Sequence, residues 1–467
     1  MQQLSMRLSA RLDGMLTSPL MSGKKITAIM LPLFLDQLTF VALNMLNTGM
    51  ISSTGVAAVS AVGMVDTLNN LICQLYLAVA MAGTVLVAKH SGANNPAMVS
   101  RAAVLSLVGG LIIGGVLALV FGLFRGPVLQ AVYGGADSEV LELAKVYLLG
   151  VALVSPGNAV INSGNGVLRG MGETKTSLTV SLVTNVSYAA LNILFLPVLG
   201  LGVHGLVYAL VISRVLGCLC VWLFLSRRHI FLQMSLKASL RAIKGLGGDM
   251  MQFALPYTVE SLFFCAGLLA VQMILVGFGT NAIAANTIAS SMLGLMCCAG
   301  DALCNTTVTV VGQCMGQNGI KEAKHYVKTF VNLSGVVTFV ILGLMLLCFP
   351  LIIKMYGATA EIGDTVFYLI LGSGLLHLFF WPRSFMIPAC LRTAGDVKFA
   401  SLVILTSVWA VRVAACYLLA VVFDLGVYGT WGGMCFEWII RTVIFTLRLR
   451  SDKWHLHHKS VAVAQEG

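Results

Sequence analysis

Long apolar runs alternate with short polar gaps along the whole chain, and within each run the apolar character is continuous. Runs of about 20 apolar residues suit helices that cross a bilayer. A transmembrane β-barrel would instead alternate apolar and polar positions with a period of two. Twelve such runs are read, at roughly 26–50, 56–88, 102–124, 143–168, 176–199, 205–225, 251–277, 283–312, 329–349, 366–391, 399–422 and 427–447, with boundaries good to a few residues. Gly and Pro recur inside them, which lipid-embedded helices tolerate. The pattern predicts an all-α integral membrane protein with twelve transmembrane helices.

Composition agrees. Of 467 residues, 58% are hydrophobic and 10% charged, and mean hydropathy is +0.92. A soluble chain carries about 25% charged residues, so the polar side chains here cannot cover a water-facing surface. Soluble enzymes, secreted disulfide scaffolds and nucleic-acid binders are excluded. The net charge of +11 sits mostly in alternate gaps. One side holds Lys24, Lys25, Lys89, Arg101, Arg169, Lys175, Arg227, Arg228, Lys321, Lys324, Lys328, Arg392 and Lys398, whereas the other has Arg125, Lys145 and Lys354 among acids. Such asymmetry marks the cytoplasmic side. It predicts a protein of the plasma (inner) membrane with N- and C-termini in the cytoplasm. The 12 cysteines fall in apolar stretches and read as small core residues. No short apolar run with a cleavage site opens the chain, so no signal peptide is expected to be removed.

The chain repeats itself at an offset of 223 or 224 residues. LPLFLDQL (Leu31–Leu38) aligns with LPYTVESL (Leu255–Leu262), and LRGMGETK (Leu168–Lys175) with LRTAGDVK (Leu391–Lys398). Gly92 pairs with Gly316, Pro127 with Pro350, Tyr133 with Tyr356, and GVHG (Gly202–Gly205) with GVYG (Gly426–Gly429). Six spans per copy keep both copies in one orientation, which predicts two parallel six-helix bundles related by pseudo-two-fold symmetry. The expected organisation is an N-terminal lobe at 1–225, a basic cytoplasmic linker at 226–250, and a C-terminal lobe with its tail at 251–467. Two such lobes suit alternating access.

These features resemble the multidrug and toxic compound extrusion (MATE) family. The resemblance covers nearly the whole chain, and the LRG-type motif closing spans four and ten is its most specific part. It implies an antiporter that expels cations or drugs against an inward proton or sodium gradient. Many prokaryotic members carry an aspartate–threonine pair late in span one, where this chain has Asn47–Thr48. Many carry an LDP triplet after an asparagine in span five. Here Asn192 is kept and the triplet is Phe195–Leu196–Pro197. A span-ten aspartate of some members falls on Trp381. The resemblance thus transfers the fold and leaves the coupling residues to be found.

A charge at the bilayer centre costs about 2.5–3.5 kcal/mol on insertion scales, so it must face a cavity or a partner. Asp36, Asp66, Glu260, Asp301 and Glu437 lie inside the spans, with Arg214, Arg383, Arg412 and Arg441. Structural ion pairs are one reading for each. Glu437 and Arg441, spaced i, i+4, are expected to meet. Asp36 and Glu260 each follow a proline by one turn and occupy equivalent places in the repeat. They are expected to be ion- or substrate-linked, because burial disfavours a charged carboxylate and lets a proton compete with an organic cation. Asp66 and Asp301 are further candidates, and Asn305, Thr306 and Thr307 could complete an oxygen cage for sodium at Asp301. His377 is read either as a proton relay or as a packed core histidine. With Asn47 and Asn192 these make up the candidate site.

GLGVHG (Gly200–Gly205) matches a dinucleotide fingerprint but lies between two spans, so it reads as a turn. No Walker motif, zinc-site spacing or catalytic constellation is visible, so no enzyme activity, cofactor or metal centre is expected. The leading expectation is a secondary active antiporter. It would export organic cations or small amphipathic drugs or metabolites in exchange for H+ or Na+. The expected contacts are a small-molecule substrate and membrane lipid, without nucleic acid, and a monomer suffices. The alternative is a flippase for lipid-linked saccharides, which would need arginines such as Arg214, Arg383 and Arg412 along its path.

Overall fold

The computed structural model describes residues 14, 16–52, 56–134, 137–227 and 236–455. All regular structure among them is helical. In chain order the helices are α1 (Gly23–Ser52), α2 (Val56–Gly92), α3 (Pro96–Leu123), the short α4 (Arg125–Tyr133), α5 (Ser138–Gly170), α6 (Thr174–Ile193) and α7 (Gly202–Arg227). Then come α8 (Leu236–Val276), α9 (Thr280–Gly316), α10 (Ile320–Leu347), the short α11 (Phe349–Tyr356), α12 (Ala360–Phe379), α13 (Trp381–Ala394), α14 (Val397–Thr406), α15 (Ala414–Tyr417) and α16 (Gly426–Arg450).

Eleven stretches among the described residues are long and apolar enough to cross a membrane. The twelfth predicted span, 427–447, is helical within α16, which at about 1.5 Å per residue is also long enough. It is less apolar because it carries Glu437, Arg441, Arg448 and Arg450. The segment expected as one span at 366–391 is two helices, α12 and α13, that meet at Phe380. Pro382 stands in the first turn of α13. There its missing donor costs nothing to the new helix but cannot extend the old one.

The described chain forms two compact units, one of residues 31–258 and one of residues up to Met30 together with Val259 onward. The boundaries fall within α1 and α8, each close to the proline inside that helix, Pro32 and Pro256. The part of the expected linker at 228–235 lies outside the described residues. In the unit of residues 31–258, helices α2, α3, α5 and α7 bury Val79, Leu105, Val167 and Val221 in one apolar core and Val65, Leu148 and Leu206 in another. In the other unit, Met292, Met296, Leu342 and Ile370 pack with Trp431. Unbranched methionines fill such irregular helix junctions well.

The repeat is visible in element order, since each copy has a short helix after its third long one. It is also visible at the end of the fifth span. There α6 runs into a π-helical turn, Leu194–Val198, around Pro197. Its counterpart is interrupted twice, at Ser407–Val413 and Leu418–Val422. Between the two interruptions, Gly433 of α16 lies so close to α15 that a Cβ there would stand 2.6 Å from the Cys416 backbone nitrogen. Small residues permit this approach. Ahead of α1, the chain folds back onto α10. The Tyr326 hydroxyl bonds Ser18 Oγ at 2.6 Å and the Met21 carbonyl at 3.2 Å, and Leu16 and Met21 are buried.

Candidate functional site

The LRG-type motif has a mechanical role in both copies. Arg169 lies in the last turn of α5 and Arg392 in the last turn of α13. Three residues on, Gly172 and Gly395 take the left-handed conformation, with φ of 84° and 108°, which glycine adopts without a Cβ penalty. Glu173 and Asp396 then occupy the N-cap positions of the next helices. The chain reverses within a few residues, and the arginine is left pointing back along its own bundle.

Each arginine meets the acid that follows a proline. Arg169 Nη2 is 2.7 Å from Asp36 Oδ2, and Arg169 Nε donates to Ser177 Oγ at 3.2 Å. Arg392 Nη1 donates to Glu260 Oε1 and Oε2 at 2.6 and 2.9 Å, and the Ser401 hydroxyl donates to Glu260 at 2.7 Å. Asp36 and Glu260 are 8% and 6% exposed, so these are buried pairs. The sequence reading treated Arg169 and Arg392 as topology charges and missed this partnership. A signal existed, because acid and arginine are separated by 133 residues in one copy and 132 in the other.

Glu437 and Arg441 meet as expected, at 3.1 Å. A third member joins from the π-helical turn, with Arg412 Nη1 3.6 Å from Glu437 Oε2. All three are buried, and the Ser407 hydroxyl adds a hydrogen bond to Glu437 at 3.2 Å. A buried carboxylate shared by two guanidinium groups leaves an excess positive charge inside this unit.

Asp301 is the acid left open. It lies roughly 32 Å along α9 from Thr280 and roughly 22 Å from Gly316 at about 1.5 Å per residue, which is mid-depth. Its side chain is exposed. Among the described residues it makes no ion pair within the geometry that Asp36 and Glu260 satisfy. One residue earlier, the Trp381 ring lies so close to Gly300 that a Cβ there would collide with it. Trp381 stacks on His377 at 4.8 Å and on Phe385 at 4.8 Å, forming an aromatic ladder. His377 is fully buried, and its Nε2 is 3.5 Å from the Cys297 sulfur. Cys297 precedes Asp301 by one helical turn. The hydroxyls of Thr306 and Thr307 turn onto the carbonyls of Ala302 and Leu303, both at 2.8 Å, so each hydroxyl proton is committed to its own helix.

Asp66 is placed in the other unit, where it accepts a hydrogen bond from Tyr147 at 3.3 Å. Asn192 is fully buried and joins the same group through a hydrogen bond with Tyr188. The candidates therefore divide into two groups, with Asp301 and His377 in one unit and Asp66 and Asn192 in the other. Asn47, as a side chain, lies outside the described residues. No group of three or more His, Cys, Asp or Glu suited to a metal occurs among the described residues.

Residues 32–198 and 256–418, one block in each repeat, match the family profile MatE. The chain belongs to the MatE family. As a MATE family transporter it is a membrane transport protein and not an enzyme. It is 23% identical over 432 residues to the uncharacterized transporter YisQ of Bacillus subtilis, covering 91% of this chain and 93% of that one. It is 23% identical over 441 residues to the probable multidrug resistance protein NorM of Thermotoga maritima, covering 92% and 93%. Among solved structures, an outward-facing multidrug resistance MATE family transporter of the MOP superfamily superimposes with a TM-score of 0.84 at 20% identity, over 94% of this chain and 97% of that one. A MOP superfamily transporter from Pyrococcus furiosus, described as having a binding pocket of reversed polarity, gives 0.81 at 19% identity, over 93% and 96%. These likenesses fix the fold.

Proposed function

We propose that the protein is a secondary active antiporter of the plasma (inner) membrane, with both termini cytoplasmic. It exports organic cations or small amphipathic drugs or metabolites in exchange for H+ or Na+, by alternating access between its two six-helix lobes. The observation that carries this reading is Asp301, an exposed carboxylate at mid-depth on a membrane-spanning helix without an ion-pair partner among the described residues. Such a charge is tolerated only where water or a cation reaches it. A coupling ion that takes Asp301 would displace the drug, and this competition is the exchange. His377 and Cys297 offer a path by which a proton reaches the acid. The multidrug resistance names of relatives such as the Thermotoga protein support the substrate class.

In this reading Asp36 and Glu260 act with Arg169 and Arg392 as clamps that hold the motif ends. Their charge is already matched, so they have less to offer a cation than Asp301. Two of the three arginines that the flippase alternative would need are already occupied. Arg412 is tied to Glu437, and Arg383 donates to the Phe379 carbonyl. The test is transport in proteoliposomes, with proton and sodium gradients imposed separately and ethidium as cargo. Export driven by one of the two gradients, and abolished by Asp301→Asn in protein of unchanged thermal stability, is the expected result. Export that follows neither gradient, or that survives Asp301→Asn, overturns the reading.

A further inference from the structure

The unit of residues 31–258 contains two opposite charges that share a neighbourhood and do not meet. Among the described residues, Asp66 of α2 is held by the Tyr147 hydroxyl alone, at 3.3 Å. Tyr147 bonds Tyr188 in turn. The guanidinium of Arg214, from α7, stands over the Tyr188 ring at 5.7 Å from its centroid. Cys73 of α2 feels both charges, and its sulfur is 2.6 Å from the Tyr76 hydroxyl. Yet Asp66 and Arg214 form no ion pair. Arg214 Nε is buried without a hydrogen-bond partner, and among the described residues no carboxylate pairs with this guanidinium. Both side chains are half-buried.

An arginine presents five donors in a planar fork that matches a carboxylate. Leaving it unpaired inside a helix bundle is costly, and the cost falls away when an anion fills the fork. A simple anion would sit against the field of Asp66, and a simple cation against that of Arg214. A molecule carrying both charges satisfies both groups at once, and the tyrosine rings between them suit an apolar or aromatic body.

We propose that the interior of this unit, between α2, α5, α6 and α7, is a subsite for small zwitterions, with the ligand carboxylate on Arg214 and its protonated amine on Asp66. The inference rests on the export reading, to which it adds a further class of substrate, held in the unit that does not contain Asp301. In the other unit the buried arginines Arg412 and Arg441 already share Glu437.

The test uses the purified full-length protein in lipid nanodiscs and three matched probes, 4-(aminomethyl)benzoate, benzylamine and benzoate, titrated by calorimetry. The zwitterion should bind at least tenfold more tightly than either singly charged probe. Arg214→Gln should remove that preference and leave zwitterion and benzylamine alike, and Asp66→Asn should leave zwitterion and benzoate alike. Arg214→Lys, which keeps the charge and loses the fork, should retain part of the preference. Equal affinity of the wild-type protein for all three probes overturns the proposal without any variant. So does a preference that survives Arg214→Gln. Ethidium export by the same preparation reports separately on the transport reading. Intact export without zwitterion preference sinks the subsite alone, and preference without export sinks the antiporter alone.

Discussion

The two units solve one problem alike and another differently. Both fasten an acid after a proline to an arginine at the end of a helix 132 or 133 residues later. The small difference between the fastenings follows from side-chain length. Glu260 is one methylene longer than Asp36, so both its oxygens reach Arg392, and Ser401 donates to the acid. Asp36 offers one oxygen, and Ser177 accepts from the arginine instead. Away from these fastenings the copies part. On α16 the position matching Ser213 is Glu437, which gathers Arg412 and Arg441. On α7 the next residue is Arg214, which gathers no acid. The duplication has kept what ties helices together and let the charges around Ser213 and Glu437 diverge.

The comparison breaks most sharply at Glu437. Glu437→Gln strands two buried guanidinium groups, and removing one partner of a buried ionic group costs about 3–5 kcal/mol. Thermal unfolding in detergent should show this as the largest single loss in the molecule. Replacing Arg412, Glu437 and Arg441 together by Met, Leu and Leu should recover most of it, since a well-packed apolar substitute is often neutral. Next come the fastenings. Arg392→Ala and Arg169→Ala should each cost about 3 kcal/mol, with Arg392 the dearer because Glu260 holds it through two oxygens. Equal costs would mean that the second oxygen is idle. Gly300→Ala should cost about 1–3 kcal/mol by pushing Trp381 off α9, read as a fall in thermal unfolding temperature. The smallest effect belongs to Arg214→Gln. Because no acid is stranded, stability should stay within about 1 kcal/mol of wild type or rise. A large loss there would reveal a structural pairing and erase the contrast between the units.

Much of the fold was legible because lipid imposes a coarse rule, that long apolar runs become helices, and because the repeat checks each run against its copy. The break at Phe380 escaped since Leu-Phe-Phe-Trp reads as uninterrupted apolar sequence, and only the position of Pro382 hints at a new start. The helix α16 was found despite its charges because Gly426–Gly429 mirrors Gly202–Gly205. The site was harder. Local spacing shows Glu437 with Arg441, but Arg412 arrives from another helix. Arg169 and Arg392 fall at the ends of spans, where a basic residue ordinarily marks the cytoplasmic side, so their second partner stayed hidden. Asp301 and Asp36 look alike as letters in an apolar run. What separates them is whether an arginine from a distant helix reaches the carboxylate.

The fold-back ahead of α1 bears on how the protein is handled in the laboratory. With Leu16 and Met21 buried and Tyr326 bonded to Ser18 and Met21, residues 16–22 form a wedge seated on α10. An affinity tag spliced close to Ser18, or a truncation to Gly23, would unseat it and expose an apolar seam, so purification handles belong at the opposite end of the chain.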